Sequence, residues 1–250
     1  MDEPVLSVAN VSAGYGARQV LSNINLTIAR GEWFSLLGPN ATGKSTLLYC
    51  ATGQLTPMAG RVRIIGHDMA AAPQLAKVHL GYAHAPDKLP GLLTGRQCLE
   101  VYAAARDLAE ISSDIVELAR DLKLTLLLDQ YVETYSLGTR QKLSVLLALV
   151  GAPSLIVLDE AFNGLDPASS LTLKRFLQSQ VRSGQCSVLL ATHALDIVLQ
   201  YSTRAALLLD GKLAKQWDAS ALSVLRQAGL QSLEEDLATE VAGRSISASF

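Results

Sequence analysis

The sequence predicts an α/β fold: a parallel sheet covered by helices on both faces and interrupted once by a helical insertion. Three observations point there. Apolar strands alternate with amphipathic helical stretches through the second half of the chain, a pattern that favours a sheet buried on both sides. Between about Pro86 and Ser136 strand signals give way to helical ones. The opening thirty residues read instead as short strands and turns.

Val5 to Ala9 is an apolar strand, Gly14-Tyr15-Gly16 a turn, and Ile24, Leu26 and Ile28 alternate with polar residues. Trp33 to Leu37 is an apolar strand running into Gly38, after which Lys44 to Thr52 turns helical, with Gly53 as its stop. Arg61 to Ile65 is a further strand. The insertion carries helices over Arg96 to Arg106 and Ser113 to Leu122. Beyond it, strands over Leu155 to Leu158, Ser187 to Thr192 and Ala205 to Leu209 alternate with helices over Ala168 to Val181 and Ala194 to Tyr201. One domain, 1–250, is expected: core and β subdomain over 1–85 and 137–243, the insertion over 86–136, and a loose tail over 244–250.

Composition narrows the function classes. Hydrophobic residues make up 49% of the 250 and charged residues 18%, which is a globular balance. The formal net charge is -2 and the cations are scattered, so no nucleic-acid surface is expected. Cys50, Cys98 and Cys186 lack metal-ligand spacing and read as small buried residues in a reducing compartment. Met1-Asp2-Glu3-Pro4 has no apolar run behind it, so no signal peptide is expected. The longest apolar stretch, Leu143 to Leu158, is broken by Gly151 and Pro153 and is too short to span a bilayer.

Gly38-Pro39-Asn40-Ala41-Thr42-Gly43-Lys44-Ser45 fits the phosphate-loop pattern G-x-x-x-x-G-K-[ST] between a predicted strand and a predicted helix. Glycines let such a loop wrap tightly, so that backbone N–H groups and the helix dipole face phosphate oxygens. Lys44 is placed to reach the β- and γ-phosphates of a nucleotide, and Ser45 to ligate Mg²⁺. Leu155-Ile156-Val157-Leu158-Asp159-Glu160 supplies an acidic strand end, which in isolation is often a solvated strand exit. Beside a phosphate loop, Asp159 is a candidate to hold Mg²⁺ through its water shell, and Glu160 to orient or deprotonate an attacking water.

Tyr135-Ser136-Leu137-Gly138-Thr139-Arg140-Gln141-Lys142-Leu143 resembles the signature sequence of the ABC ATPases, in the Ser-Leu-Gly form of the drug- and antibiotic-export (ABC-2-like) group. The resemblance runs from Tyr15 to the segment Leu233-Glu234-Glu235-Asp236. It implies a P-loop NTPase (RecA-like) core with an N-terminal antiparallel β subdomain, a closing helix over Gly229 to Val241, and ATP with Mg²⁺ as ligands. It implies that Tyr15 stacks on adenine, that residues Gly38 to Ser45 and Thr46 hold the phosphates, and that Ser136, Gly138 and Thr139 face the γ-phosphate bound by an opposite subunit. Two monomers, identical or related, would then sandwich ATP head to tail. Ala161-Phe162-Asn163-Gly164-Leu165-Asp166-Pro167 resembles the loop that touches the partner, and His193 the switch histidine that contacts the γ-phosphate. Glu160, His193 and Lys44 are the catalytic candidates; Ser45 and Asp159 are the metal ligands.

The function so implied is an ATP-hydrolysing subunit that drives transport, with export favoured, through separate membrane-spanning subunits. It would sit peripherally on the cytoplasmic face of the membrane, with docking contacts expected around Asp87 to Gln97. Two alternatives stand beside it: a regulatory cassette that binds ATP with little or no hydrolysis, and a soluble ABC ATPase outside transport. The first draws on a departure from the family pattern. The usual Gln or Glu at the strand end before the insertion is Ala85 here, with His84 and Asp87 as neighbouring substitutes. A second departure is Leu137 in place of the signature's first glycine.

Overall fold

The computed structural model describes residues 3–247, and side chains through residue 240. The chain opens with β1 (Leu6–Tyr15), β2 (Arg18–Ile28), β3 (Trp33–Leu37), α1 (Lys44–Ala51), β4 (Ala59–Ile64), β5 (His67–Asp68), α2 (Pro73–Val78) and β6 (Leu80–Ala83). The insertion contributes α3 (Gly95–Ala104) and α4 (Ser113–Asp121). Then follow α5 (Leu137–Leu149), β7 (Leu155–Asp159), α6 (Pro167–Arg182), β8 (Ser187–Thr192), α7 (Leu195–Tyr201), β9 (Arg204–Leu209), β10 (Lys212–Trp217), α8 (Ala219–Ala228) and α9 (Leu230–Ser247).

These strands form two sheets. A four-stranded antiparallel sheet has the order β2-β1-β4-β5, and a six-stranded sheet the order β10-β9-β3-β8-β7-β6. In the larger one, β9, β3, β8, β7 and β6 run parallel, and β10 closes the edge antiparallel to β9. Its inner strands are apolar on both faces because both are covered. Ile156, Leu158, Val188 and Leu190 join one core with Leu118, Leu122, Leu143 and Leu146. Val157 and Leu189 point the other way, into a second core with Leu36, Leu47, Leu48 and the β-subdomain residues Leu6, Leu21, Ile24 and Ile28. Each fully buried side chain of this size contributes about 1.5–3 kcal/mol relative to exposure. The helical insertion therefore packs into the same core as α5 and one face of the sheet.

Local chemistry fixes the helix starts. Thr94 and Gln97 form a reciprocal capping box at α3, and Asp166 caps α6 ahead of Pro167. Ser136 caps α5 and Asp218 caps α8. Sequence reading found most of these elements and missed β5, α2, β10 and α8. The β1 strand runs on through Tyr15 to a tight connection at Gly16, longer than the short strand expected there. The closing helix α9 extends through Ser247, taking in part of the tail expected to be loose from Arg244; residues 248–250 lie outside the described residues.

All three cysteines are buried and free. Burial pushes the Cys50 thiol up to about 11 and the Cys186 thiol up to about 12.

One glycine marks where β6 meets α5. A Cβ on Gly81 would fall 1.9 Å from the Ala148 carbonyl oxygen and 2.8 Å from Pro153 Cγ. Gly81→Ala must push strand and helix apart, so we expect a loss of about 1–3 kcal/mol or more of stability, measured by urea denaturation of the full chain.

Candidate functional site

The loop from Gly38 to Ser45 joins β3 to α1 beside the carboxyl end of the parallel sheet. Ala41 (φ 64°) and Gly43 (φ 107°) adopt left-handed backbone conformations, which curl the chain so that successive N–H groups share a concave face. Gly38 passes so close to β9 that an added Cβ would lie 2.5 Å from the Leu208 carbonyl oxygen. Lys44 is only 7% exposed, and its ammonium folds back over the loop, donating to the carbonyls of Gly38 (2.6 Å) and Pro39 (3.0 Å). The Thr42 hydroxyl donates to the same Pro39 carbonyl at 2.9 Å.

Above the loop lies a cavity of about 410 Å³. Asn40, Ala41 and residues 43–46 of the loop and α1, Tyr15, Arg18 and Val20 of the first hairpin, and Asp159 and Glu160 at the end of β7 line it. The structure thus brings Tyr15, Lys44, Ser45, Thr46, Asp159 and Glu160 to one cavity. Tyr15 is about half exposed at the mouth. Arg18 and Val20 are residues that sequence reading missed; Arg18 pairs with Tyr15 across the hairpin, and the signal was the Gly16 turn that places the two opposite each other.

Asp159 and Glu160 leave β7 next to β8, with Asp159 in register with Ala191. Burial raises the Asp159 carboxyl above its ordinary value, a hydrogen bond from Ser45 opposes the rise, and the Glu160 charge adds to it. Glu160 takes a left-handed conformation (φ 48°), and its N–H donates to the Ala191 carbonyl at 3.0 Å. Non-glycine residues in this region are uncommon and concentrate at functional sites. Its Oε1 lies 3.0 Å from His193 Nδ1 and 4.0 Å from Lys44 Nζ, while Oε2 accepts from Asn163 Nδ2 at 3.2 Å. His193 stands on the loop after β8, with a largely exposed ring.

The signature residues lie elsewhere on the chain. Ser136 Oγ accepts from the Thr139 N–H (3.2 Å) and shares a hydrogen bond with Thr139 Oγ1 (2.8 Å). Ser136 is exposed, and none of Ser136, Gly138 or Thr139 lines the Lys44 cavity. They lean instead on the loop that follows Glu160. A Cβ on Gly138 would fall 2.9 Å from the Gly164 carbonyl oxygen, and Lys142 Nζ pairs with Asp166 Oδ2 at 2.9 Å. The Asp166 carboxyl is held well below its ordinary value by the Ser169 hydroxyl and N–H and by Lys142.

Ala85 is exposed at the start of a short 3₁₀ turn, Pro86–Lys88. Neither neighbour lines the Lys44 cavity. The His84 ring stands edge-on to Tyr82 (4.7 Å between centroids), in a groove with Thr52, Gln54, Lys77, Tyr102 and Arg106. Burial there lowers its basicity. Asp87 is exposed, 3.6 Å from Lys88, and it too is absent from the cavity lining.

The cavity chemistry fits a magnesium nucleotide. A buried ammonium and a cradle of N–H groups call for an anion, and the Ser45 hydroxyl with the Asp159 carboxylate offers the hard oxygen ligands that Mg²⁺ prefers. Among the described residues no group of three or more His, Cys, Asp or Glu side chains forms a metal cage.

Comparison with known proteins places this site in a family. Residues 21–163 match the ABC transporter family. The chain is 36% identical over 194 residues to rat ATP-binding cassette sub-family A member 7, an alignment covering 77% of this chain and 9% of that protein. It is 32% identical over 196 residues to the Nod factor export ATP-binding protein I of Rhizobium meliloti (strain 1021), covering 76% of this chain and 57% of the relative. It thus spans well under two thirds of either curated relative. Among solved structures it superposes on an ATP-binding subunit of an ABC transporter with a TM-score of 0.84 and 29% identity, covering 95% of this chain and 99% of that one. A bacterial ABC transporter cassette solved as a dimer gives a TM-score of 0.78 at 22% identity, covering 86% of this chain and 98% of the other, and so supports the fold alone. A phosphate loop and an acidic strand end meeting at one cavity, on a fold shared with these cassettes, make the chain a member of the ABC transporter family with the P-loop ATP-binding cassette fold.

Proposed function

We propose that this chain hydrolyses ATP as the motor subunit of a transporter, working as a head-to-tail dimer. The observation that carries the proposal is a division within the chain: Lys44, Ser45, Asp159 and Glu160 face one cavity, whereas Ser136, Gly138 and Thr139 present a capped, exposed helix N-terminus elsewhere. A cavity lined by the phosphate loop and an anion-binding helix end elsewhere on the chain can complement each other across a two-fold axis. Either an identical copy or a related cassette would supply the second signature.

Each residue then has a role. Bound Mg²⁺, held by Ser45 and Asp159, would supply positive charge at the β- and γ-phosphate oxygens. Lys44 exchanges its contacts with Gly38 and Pro39 for phosphate oxygens, and Tyr15 offers a ring face to adenine. Glu160 holds or deprotonates the attacking water, and His193 fixes Glu160 while reaching toward the γ-phosphate.

In this reading the movement is passed to membrane-spanning subunits; no helix of the described residues is long and apolar enough to cross a membrane. Peripheral placement at the cytoplasmic face follows from such docking. The Ser-Leu-Gly signature and the likeness to a Nod factor export ATP-binding protein favour export. Ala85, with His84 and Asp87 both outside the cavity lining, favours a second reading: a cassette that binds ATP but turns it over slowly or not at all.

Hydrolysis measured over a range of protein concentrations separates the two. For a dimeric motor, activity per subunit rises with concentration, and Glu160→Gln loses at least about 100-fold in kcat while forming an ATP-dependent dimer by light scattering. ATP binding with no turnover at any concentration, even with the membrane partner present, would leave the binding-only cassette.

Asp159 gives an independent test. Its folded carboxyl is raised, so the folded state binds the proton more tightly than the unfolded chain. Stability from this group is therefore lost as pH rises out of the ordinary carboxylate range and through the folded value. Asp159→Asn removes that penalty. The nucleotide-free variant should melt higher than wild type at pH 7, the gap closing as pH falls into the ordinary carboxylate range, while Mg²⁺-dependent ATP binding is lost. A variant that melts lower at pH 7 would contradict the assignment.

A further inference from the structure

The geometry points to Asn163 as a positioning residue that holds the Glu160 carboxylate off Lys44 and in the orientation needed for its work on water. The inference rests on the proposed role of Glu160 and adds a residue to it. A Glu side chain has three rotatable bonds, and its carboxylate here sits within 4.0 Å of the buried Lys44 ammonium. Opposite charges at this distance attract, so a carboxylate tied at one oxygen only could turn toward that ammonium. Two restraints are present. His193 Nδ1 lies 3.0 Å from Oε1, and Asn163 Nδ2 donates to Oε2 at 3.2 Å. The two carboxylate oxygens are therefore tied to different segments, one after β8 and one after β7.

Asn163 is itself well anchored. Its N–H donates to the Glu160 carbonyl at 3.0 Å, so the residue that closes the turn after Glu160 also reaches back to its carboxylate. The preceding Phe162 is buried, stacked on Trp33 (6.5 Å, 16° between planes) with Lys174 Nζ 5.4 Å from its ring centroid. That aromatic stack fixes the turn from behind. An amide is suited to the position: it donates to the carboxylate without bringing a second positive charge that would compete with Lys44 for it. A hydrogen bond to a charged group, once lost, lowers a rate that depends on it by about ten- to a hundredfold.

The test uses the full chain with four proteins side by side: wild type, Glu160→Gln, Asn163→Ala and Asn163→Asp. Aspartate keeps the shape of asparagine and loses the donor; alanine loses the donor and adds no charge. The expected result is a fall in kcat of about ten- to a hundredfold in both Asn163 variants. KM for ATP and the equilibrium affinity for a fluorescent ATP analogue should stay within about twofold of wild type. If Glu160→Gln is inactive while Asn163→Ala or Asn163→Asp keeps wild-type kcat, Asn163 does not position Glu160 and the inference falls alone. Loss of ATP affinity in step with kcat would show a residue that merely supports the loop, and also overturns it. Undiminished hydrolysis by Glu160→Gln would remove the water-directing role of Glu160 and this inference with it.

Discussion

Everything at the site depends on the parallel register of β3, β8 and β7. Leu37 pairs with Thr192 and Ala191 with Asp159, so the phosphate loop, His193 and the acidic strand end all leave the sheet along one edge. Side chains alternate faces along a strand, so a slip of one residue would turn Asp159 away from Ser45 and reverse both cores together. The apolar sets on the two sides of β7 and β8 exclude that slip, since Ile156, Leu158, Val188 and Leu190 belong to one core and Val157 and Leu189 to the other. Placement of the chemistry is thus a by-product of packing. The charged residues ride on strand ends that hydrophobic burial has already fixed.

The same chain ties its two functional surfaces together mechanically. The signature helix α5 and the loop after Glu160 meet through Gly138 against the Gly164 carbonyl and through the Lys142–Asp166 pair. Asp166 also caps α6, so one carboxylate serves as helix cap and ion-pair partner at once. Whatever displaces the loop beside Glu160 must therefore bear on the start of α5. The α5 helix in turn packs on β6 and the helical insertion, and the Ser144 hydroxyl donates to the His84 carbonyl at 2.6 Å. The segment before Ala85 is consequently linked to the signature helix by the Ser144 side chain on the His84 main-chain carbonyl.

Much of this was legible in the sequence, for reasons that differ by element. The strands β3 and β8 were read to the residue because uninterrupted apolar runs ending in Gly or Thr-His leave little choice of boundary. The phosphate loop was legible because its glycines answer backbone demands that few other sequences meet. The elements α2, β5 and β10 were missed: α2 and β5 are short, and β10 is an edge strand with polar residues on its open side, so none carries a strong period. Two features of the site could not be read in one dimension. The ring of His84 turns into a groove with Tyr82, and Asn163 reaches back to Glu160 only because the chain reverses at a left-handed residue.

The burial of the three thiols has a practical side. Cys50 and Cys186 titrate far above neutrality and Cys98 is also raised, so the native chain offers almost no thiolate to an alkylating reagent. A cysteine introduced at an exposed position such as Leu126 would be the reactive one among the described residues without removal of the native three. Spectroscopic labels could then report on this segment on an otherwise unaltered background.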